Sequence, residues 1–68
     1  MDMRKLVGRN VRAVRQARGM TQEQLAEASG FSQQYISDLE RGRRNPTVVS
    51  LYELAQALSS TPVDLLSP

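Results

Sequence analysis

Gln33 and Gln34 stand side by side at the head of a short polar segment, with Ser37 and Asp38 one turn further on and Arg41, Arg43 and Arg44 just beyond. A glutamine amide donates and accepts at once, matching the adjoining N7 and N6 of adenine in a major groove. A serine hydroxyl can approach either kind of base edge, and a carboxylate can only accept, for instance from cytosine N4. The arginines carry planar cationic forks suited to phosphate and sit where the negative end of a helix dipole favours them. Upstream, Thr21, Gln22 and Ser32 fall where helices should begin. There a hydroxyl or amide adds to free backbone N–H groups that already favour an anion. Tyr35 supplies a phenolic hydroxyl able to reach a phosphate while its ring packs.

Other chemistries lack their tools. The chain has no cysteine and no histidine, which removes disulfides, thiolate metal sites, the commonest metal ligand and the commonest general base. No catalytic constellation, metal site, cofactor or small-molecule ligand is expected, and the chain is read as a non-enzyme. No apolar run approaches the ~18 residues of a membrane span, and the arginine-studded start lacks the apolar stretch of a signal peptide. A cytoplasmic location is the default expectation. The net charge of +2 conceals segregation: six of the nine bases lie in residues 1–20, and three arginines lie in residues 41–44.

The positioning elements follow from periodicity and punctuation. With 68 residues there is room for one domain, residues 1–68, whose small core buries roughly 60% of the unfolded surface. Val7, Val11 and Val14 recur at i, i+4, i+7, opposite a stripe of Lys5, Arg9 and Arg12, and predict one amphipathic helix ending near Gly19. The basic stripe is read as solvated. Thr21 and Gln24 form a capping box for a second helix with Leu25, Ala26 and Ala28 on its inner face, broken by Gly30. Ser32 caps a third, with Ile36, Leu39 and Glu40 inward, ended by Gly42. Thr47 caps a fourth carrying Leu51, Leu54, Ala55 and Leu58. Thr61-Pro62-Val63-Asp64 opens a last turn bearing Leu65 and Leu66. The fold class is all-α, with five helices.

Two helices cross closely at a tight turn only where the contact positions are small or suitably branched, and Ala26, Gly30 and Ile36 fall at offsets of four and six. With Thr21-Gln22 before them and Leu39-Glu40-Arg41-Gly42 after, the pattern over about residues 21–42 resembles the helix-turn-helix of lambdoid phage repressors and similar bacterial regulators (the XRE family). The likeness covers nearly the whole chain and implies a lambda-repressor-like DNA-binding domain. It places an arginine at Arg15 and its glutamate partner at Glu40, expected to form a structural ion pair. It also implies that Gln22 grips a phosphate and steadies Gln33 at the start of the recognition helix. The chain departs from the pattern at Ser59 and Ser60, where Gly and an aliphatic residue are usual. It departs again at Thr47, where one repressor type has a minor-groove arginine.

The expected function is a sequence-specific regulator of transcription that binds double-stranded operator DNA. The third helix enters the major groove, and a homodimer meets half-sites about one helical turn apart. Gln33, Gln34, Ser37 and Asp38 are the expected base readers. Thr21, Gln22, Ser32, Tyr35, Arg41, Arg43 and Arg44 are the expected phosphate contacts, and Leu65 and Leu66 the dimer surface. Among proteins of this likeness repression is the commoner outcome. The alternatives are an antitoxin or other protein-interaction module of the same fold with DNA binding secondary, and a restriction-modification controller.

Overall fold

Each helix starts at a residue able to occupy the free N–H groups of its first turn. In the computed structural model, which describes residues 1–68, the side chains of Asp2, Thr21, Ser32, Thr47 and Thr61 each accept from a backbone N–H of the helix they precede. The helices are α1 (Met3–Ala17), α2 (Gln22–Ser29), α3 (Gln33–Glu40), α4 (Val48–Ala57) and α5 (Pro62–Leu66), and there is no strand. The all-α, five-helix expectation holds. At Thr21 the capping box is complete, with Gln24 Oε1 accepting from the Thr21 N–H at 2.8 Å. No helix is long and apolar enough to cross a membrane.

The core is a single cluster. Val11, Leu25, Ile36, Leu39, Leu54, Leu58 and Leu65 are fully buried, each contributing about 1.5 to 3 kcal/mol relative to exposure. Met20, Phe31 and Tyr35 pack around them. α1 lies across α3 and α5, α2 against α3 and α4, and α4 against α5. α3 is thereby held from one side only.

Two sequence expectations change. Ala28 is exposed, because the short α2 buries only Leu25 and Ala26. Leu65 is completely buried in the core, so it cannot form part of a dimer surface. The one-turn α5 folds back on α1, and Leu65 fills the gap from inside. Leu66 remains 41% exposed.

Gly8 decides how near α1 and α3 come. A Cβ built there would overlap the Leu39 carbonyl oxygen and come within 3.0 Å of that of Glu40, so the helix meets backbone rather than side chain. Gly30 serves differently: nothing lies near its missing Cβ, but its φ of +81° closes α2 in the left-handed region.

Three helices end in the same paired turn, in which two successive N–H groups bond back to carbonyls of the last helical turn. The pairs are Gly19 with Met20, Gly42 with Arg43, and Ser59 with Ser60. The third has a serine at φ +53° where the other two have glycine. Arg18 spans to this turn, donating to the carbonyls of Leu58 and Ser59, both at 2.9 Å. Ser59→Gly is therefore expected to stabilise the domain by about 0.5 to 1 kcal/mol, relief of side-chain strain outweighing lost chain stiffness. Urea unfolding measures this; unchanged or lower stability would mean that the serine is not strained.

α5 is pinned at both ends. Asn10 Nδ2 donates to the carbonyls of Leu65 at 3.0 Å and Ser67 at 2.7 Å. At its start the Ser60 hydroxyl, and then the Thr61 N–H, hold the Asp64 carboxyl below its ordinary pKa. A depressed carboxyl stabilises the fold above its unfolded pKa and loses that contribution as pH falls through the folded value. Between about pH 5 and about pH 2 the melting temperature should thus fall more steeply in the parent protein than in Asp64→Asn. Equal slopes would remove Asp64 from the acid response.

Candidate nucleic-acid interface

α3 is buried along Ile36 and Leu39 and presents the other side outward, with Gln33 and Gln34 exposed and Ser37 and Asp38 half-buried. The helical period places these four polar residues together on the side facing away from the core. The Ser32 hydroxyl, accepting from the Tyr35 N–H at 3.0 Å, sets where α3 begins. Its own proton remains available to an anion.

Beneath α3 the expected ion pair is present and is anchored from three helices. Arg15 Nε reaches Glu40 Oε2 at 2.6 Å and Nη2 reaches Oε1 at 3.0 Å, while Nη1 donates to the Met20 carbonyl at 2.7 Å. The side chains are 11% and 3% exposed, and every buried polar side-chain atom has a partner. The hydrogen bond to Glu40, against the opposing effect of burial, holds the Arg15 pKa above its ordinary value. The guanidinium is charged at any pH at which the domain folds.

Gln22 departs from the family-based expectation. Its Nε2 donates to Glu40 Oε1 at 3.1 Å, and it makes no hydrogen bond to Gln33. The amide is positioned by the ion pair, with one N–H and the carbonyl oxygen still open. It lines a polar cleft of about 250 Å³ with Arg12, Arg15, Ser37, Glu40 and Arg41. Arg12 and Arg41 are exposed, and the N–H groups of Gln22 and Glu23 have no partner within the chain. With Glu40 neutralised by Arg15, the rim of this cleft is cationic.

Arg12 is solvent-exposed, as the basic stripe implies, and it also borders this cleft, one turn before Arg15 on the side of α1 that faces α3. The i, i+3 spacing to Arg15 was the available signal. Arg43 is exposed at the far end of α3. Arg44 is engaged: its guanidinium lies 5.3 Å from the Tyr35 ring centroid and its Nε 3.8 Å from Asp38. Tyr35 stacks on Phe31 with centroids 4.7 Å apart, so its ring packs as expected. Its hydroxyl has no partner in the chain. Thr21 and Ser32 serve as caps at the two helix starts that border this surface.

The helix-turn-helix family HTH_3 matches residues 11–66, which include all of this surface. The chain belongs to that family of DNA-binding transcriptional regulators. This HTH_3 protein is 63% identical over 68 residues to an HTH-type transcriptional regulator of Sinorhizobium fredii, covering 100% of this chain and 88% of the relative. Among solved structures, a hypothetical transcription factor from Neisseria superposes on the HTH_3 domain with a TM-score of 0.93. It is 34% identical, and the match spans 98% of this chain and 77% of that one. The restriction-modification controller protein C.AhdI from Aeromonas hydrophila superposes at 0.87 with 39% identity, over 91% and 94% of the two chains. The HTH_3 assignment thus agrees with the turn at Gly30 and the one-sided burial of α3.

Proposed function

We propose that this regulator inserts α3 into the major groove of an operator, where Gln33, Gln34 and Ser37 meet base edges. Gln22, Arg12 and Arg41 hold one phosphate strand, helped by the free N–H groups at the start of α2. Thr21, Ser32, the Tyr35 hydroxyl, Arg43 and Arg44 contact the backbone around them. The observation that carries this reading is the one-sided burial of α3. A helix with Ile36 and Leu39 inward and glutamines outward, bordered by a cleft with Arg12 and Arg41 at its rim, has the shape and charge of a groove reader. No reaction is catalysed.

Two copies bind, with half-sites about one helical turn apart. Val63 and Leu66 of α5, 69% and 41% exposed, replace Leu65 in the proposed contact between copies. Occlusion of polymerase makes the protein a repressor. The resemblance to a restriction-modification controller favours that setting as a second reading, and an endonuclease gene beside this one would support it.

Selection of binding sites from random duplex DNA tests the proposal, reporting specificity and half-site symmetry together. Affinity should fall steeply with salt. Gln33→Ala combined with Gln34→Ala should erase discrimination among sequences while keeping most non-specific affinity. A double variant that discriminates as well as the parent would remove α3 as the reader.

A further inference from the structure

We infer that Asp38 sets the base preference of α3 indirectly, by fixing which edge of the Gln34 amide faces the groove. The inference rests on α3 being the groove reader. Gln34 and Asp38 are one turn apart, and Gln34 Nε2 donates to Asp38 Oδ1 at 3.0 Å. A carboxylate has no proton to give, so the amide turns its nitrogen toward Asp38 and its oxygen away. Rotating the amide by half a turn would set two acceptors against each other.

The carboxylate is itself held from the opposite side. Arg44 Nε lies 3.8 Å from Asp38 Oδ2, and the same guanidinium rests over Tyr35, which is braced by Phe31. The Asp38 side chain is 21% exposed, and Arg44 balances its charge, so it can sit near DNA without meeting phosphate uncompensated. Phe31, Tyr35, Arg44, Asp38 and Gln34 thus form one connected series from the turn before α3 to its outer face.

Gln34 keeps a carbonyl oxygen and one N–H without partners in the chain. Together they match adenine, which offers N7 and N6 side by side, and the oxygen alone can accept from cytosine N4. Guanine and thymine offer only acceptors there, so they could engage the N–H but would leave the oxygen facing another acceptor. Asp38 becomes a positioning residue, in place of the direct acceptor from cytosine expected from sequence.

The test is site selection from random duplexes with the parent, Asp38→Ala, Asp38→Asn, Gln34→Ala and the Gln34→Ala/Asp38→Ala double variant, each first checked for cooperative melting. The parent should favour adenine or cytosine at the position that Gln34→Ala flattens. Both Asp38 variants should weaken that preference by about tenfold, by admitting guanine. The amide introduced by Asp38→Asn can donate as well as accept and so permits either orientation of Gln34, which keeps the test open if the alanine variant folds poorly. The double variant should match Gln34→Ala alone. Release of Arg44 would alter affinity for all sequences alike and cannot mimic this pattern. The inference is overturned if the Asp38 variants keep the parent preference while Gln34→Ala loses it. It is also overturned if the effect of Asp38→Ala survives in the Gln34→Ala background, which would make Asp38 a direct contact. If Gln34→Ala changes no position, Gln34 is not a base reader and the inference fails with it; whether α3 reads at all is then decided by the Gln33→Ala/Gln34→Ala variant.

Discussion

Glu40→Ala is expected to destabilise the domain by about 3 to 5 kcal/mol. The cost lies in what is left behind. Arg15, 11% exposed at its side chain, would lose both carboxylate contacts and keep only the Met20 carbonyl as a partner. Gln22 would lose its partner too. For a chain of this size the whole stability is roughly 5 to 10 kcal/mol, and each kcal/mol shifts the melting temperature by about 4 to 8 °C. The variant should therefore melt well over 10 °C lower, or not fold at ambient temperature. Replacing both partners by apolar residues of similar length should recover most of the loss, since the penalty comes from an unpaired buried charge. A melting temperature for Glu40→Ala within a degree of the parent would show that the pair is solvated, contrary to its burial in the fold.

Gly8→Ala should be almost as damaging, and its sign is diagnostic. In the middle of an exposed helix, glycine to alanine stabilises by about 1 kcal/mol. At position 8 the added carbon would overlap the Leu39 carbonyl oxygen, an atom of the α3 backbone that cannot rotate away. Relief requires the two helices to separate, which also strains the Arg15–Glu40 bridge between them. A net loss of about 2 to 3 kcal/mol is expected, measured by urea unfolding beside an exposed-site control such as Gln16→Gly, which should lose only about the propensity term. If Gly8→Ala proved stabilising, α1 and α3 would have to cross farther apart than this. Because the crossing also sets the cleft between Arg12 and Arg41, a tolerated but shifted Gly8→Ala should weaken DNA binding more than it alters base preference.

Much of this was legible in particular residues. Thr21 with Gln24, Ser32, Thr47 and Thr61-Pro62 each act within one turn of themselves, so the helix starts could be read off directly and occur where expected. Gly30 and Gly42 are likewise local. The partnership of Arg15 and Glu40, 25 residues apart, was reached only through family likeness, since nothing local pairs them. Gln22 shows the limit of likeness: its neighbourhood was placed correctly, but its hydrogen bond goes to Glu40 and not to Gln33. Leu65 and Leu66 looked equivalent as adjacent leucines on a short final helix. Only the docking of α5 on α1 separates them, burying one and leaving the other at the surface.

The sequence by itself determined the number and order of the helices, the starts of the last four, and the turn that makes α3 project. Those depend on side chains bonding to their own backbone and on apolar spacing within a few residues. The tertiary structure alone decided how close α1 comes at Gly8, that Arg12 borders the cleft, and that Asp38 stands between Gln34 and Arg44. Each depends on distances between segments brought together by burial of a shared core, and such distances have no counterpart in the spacing of residues along the chain.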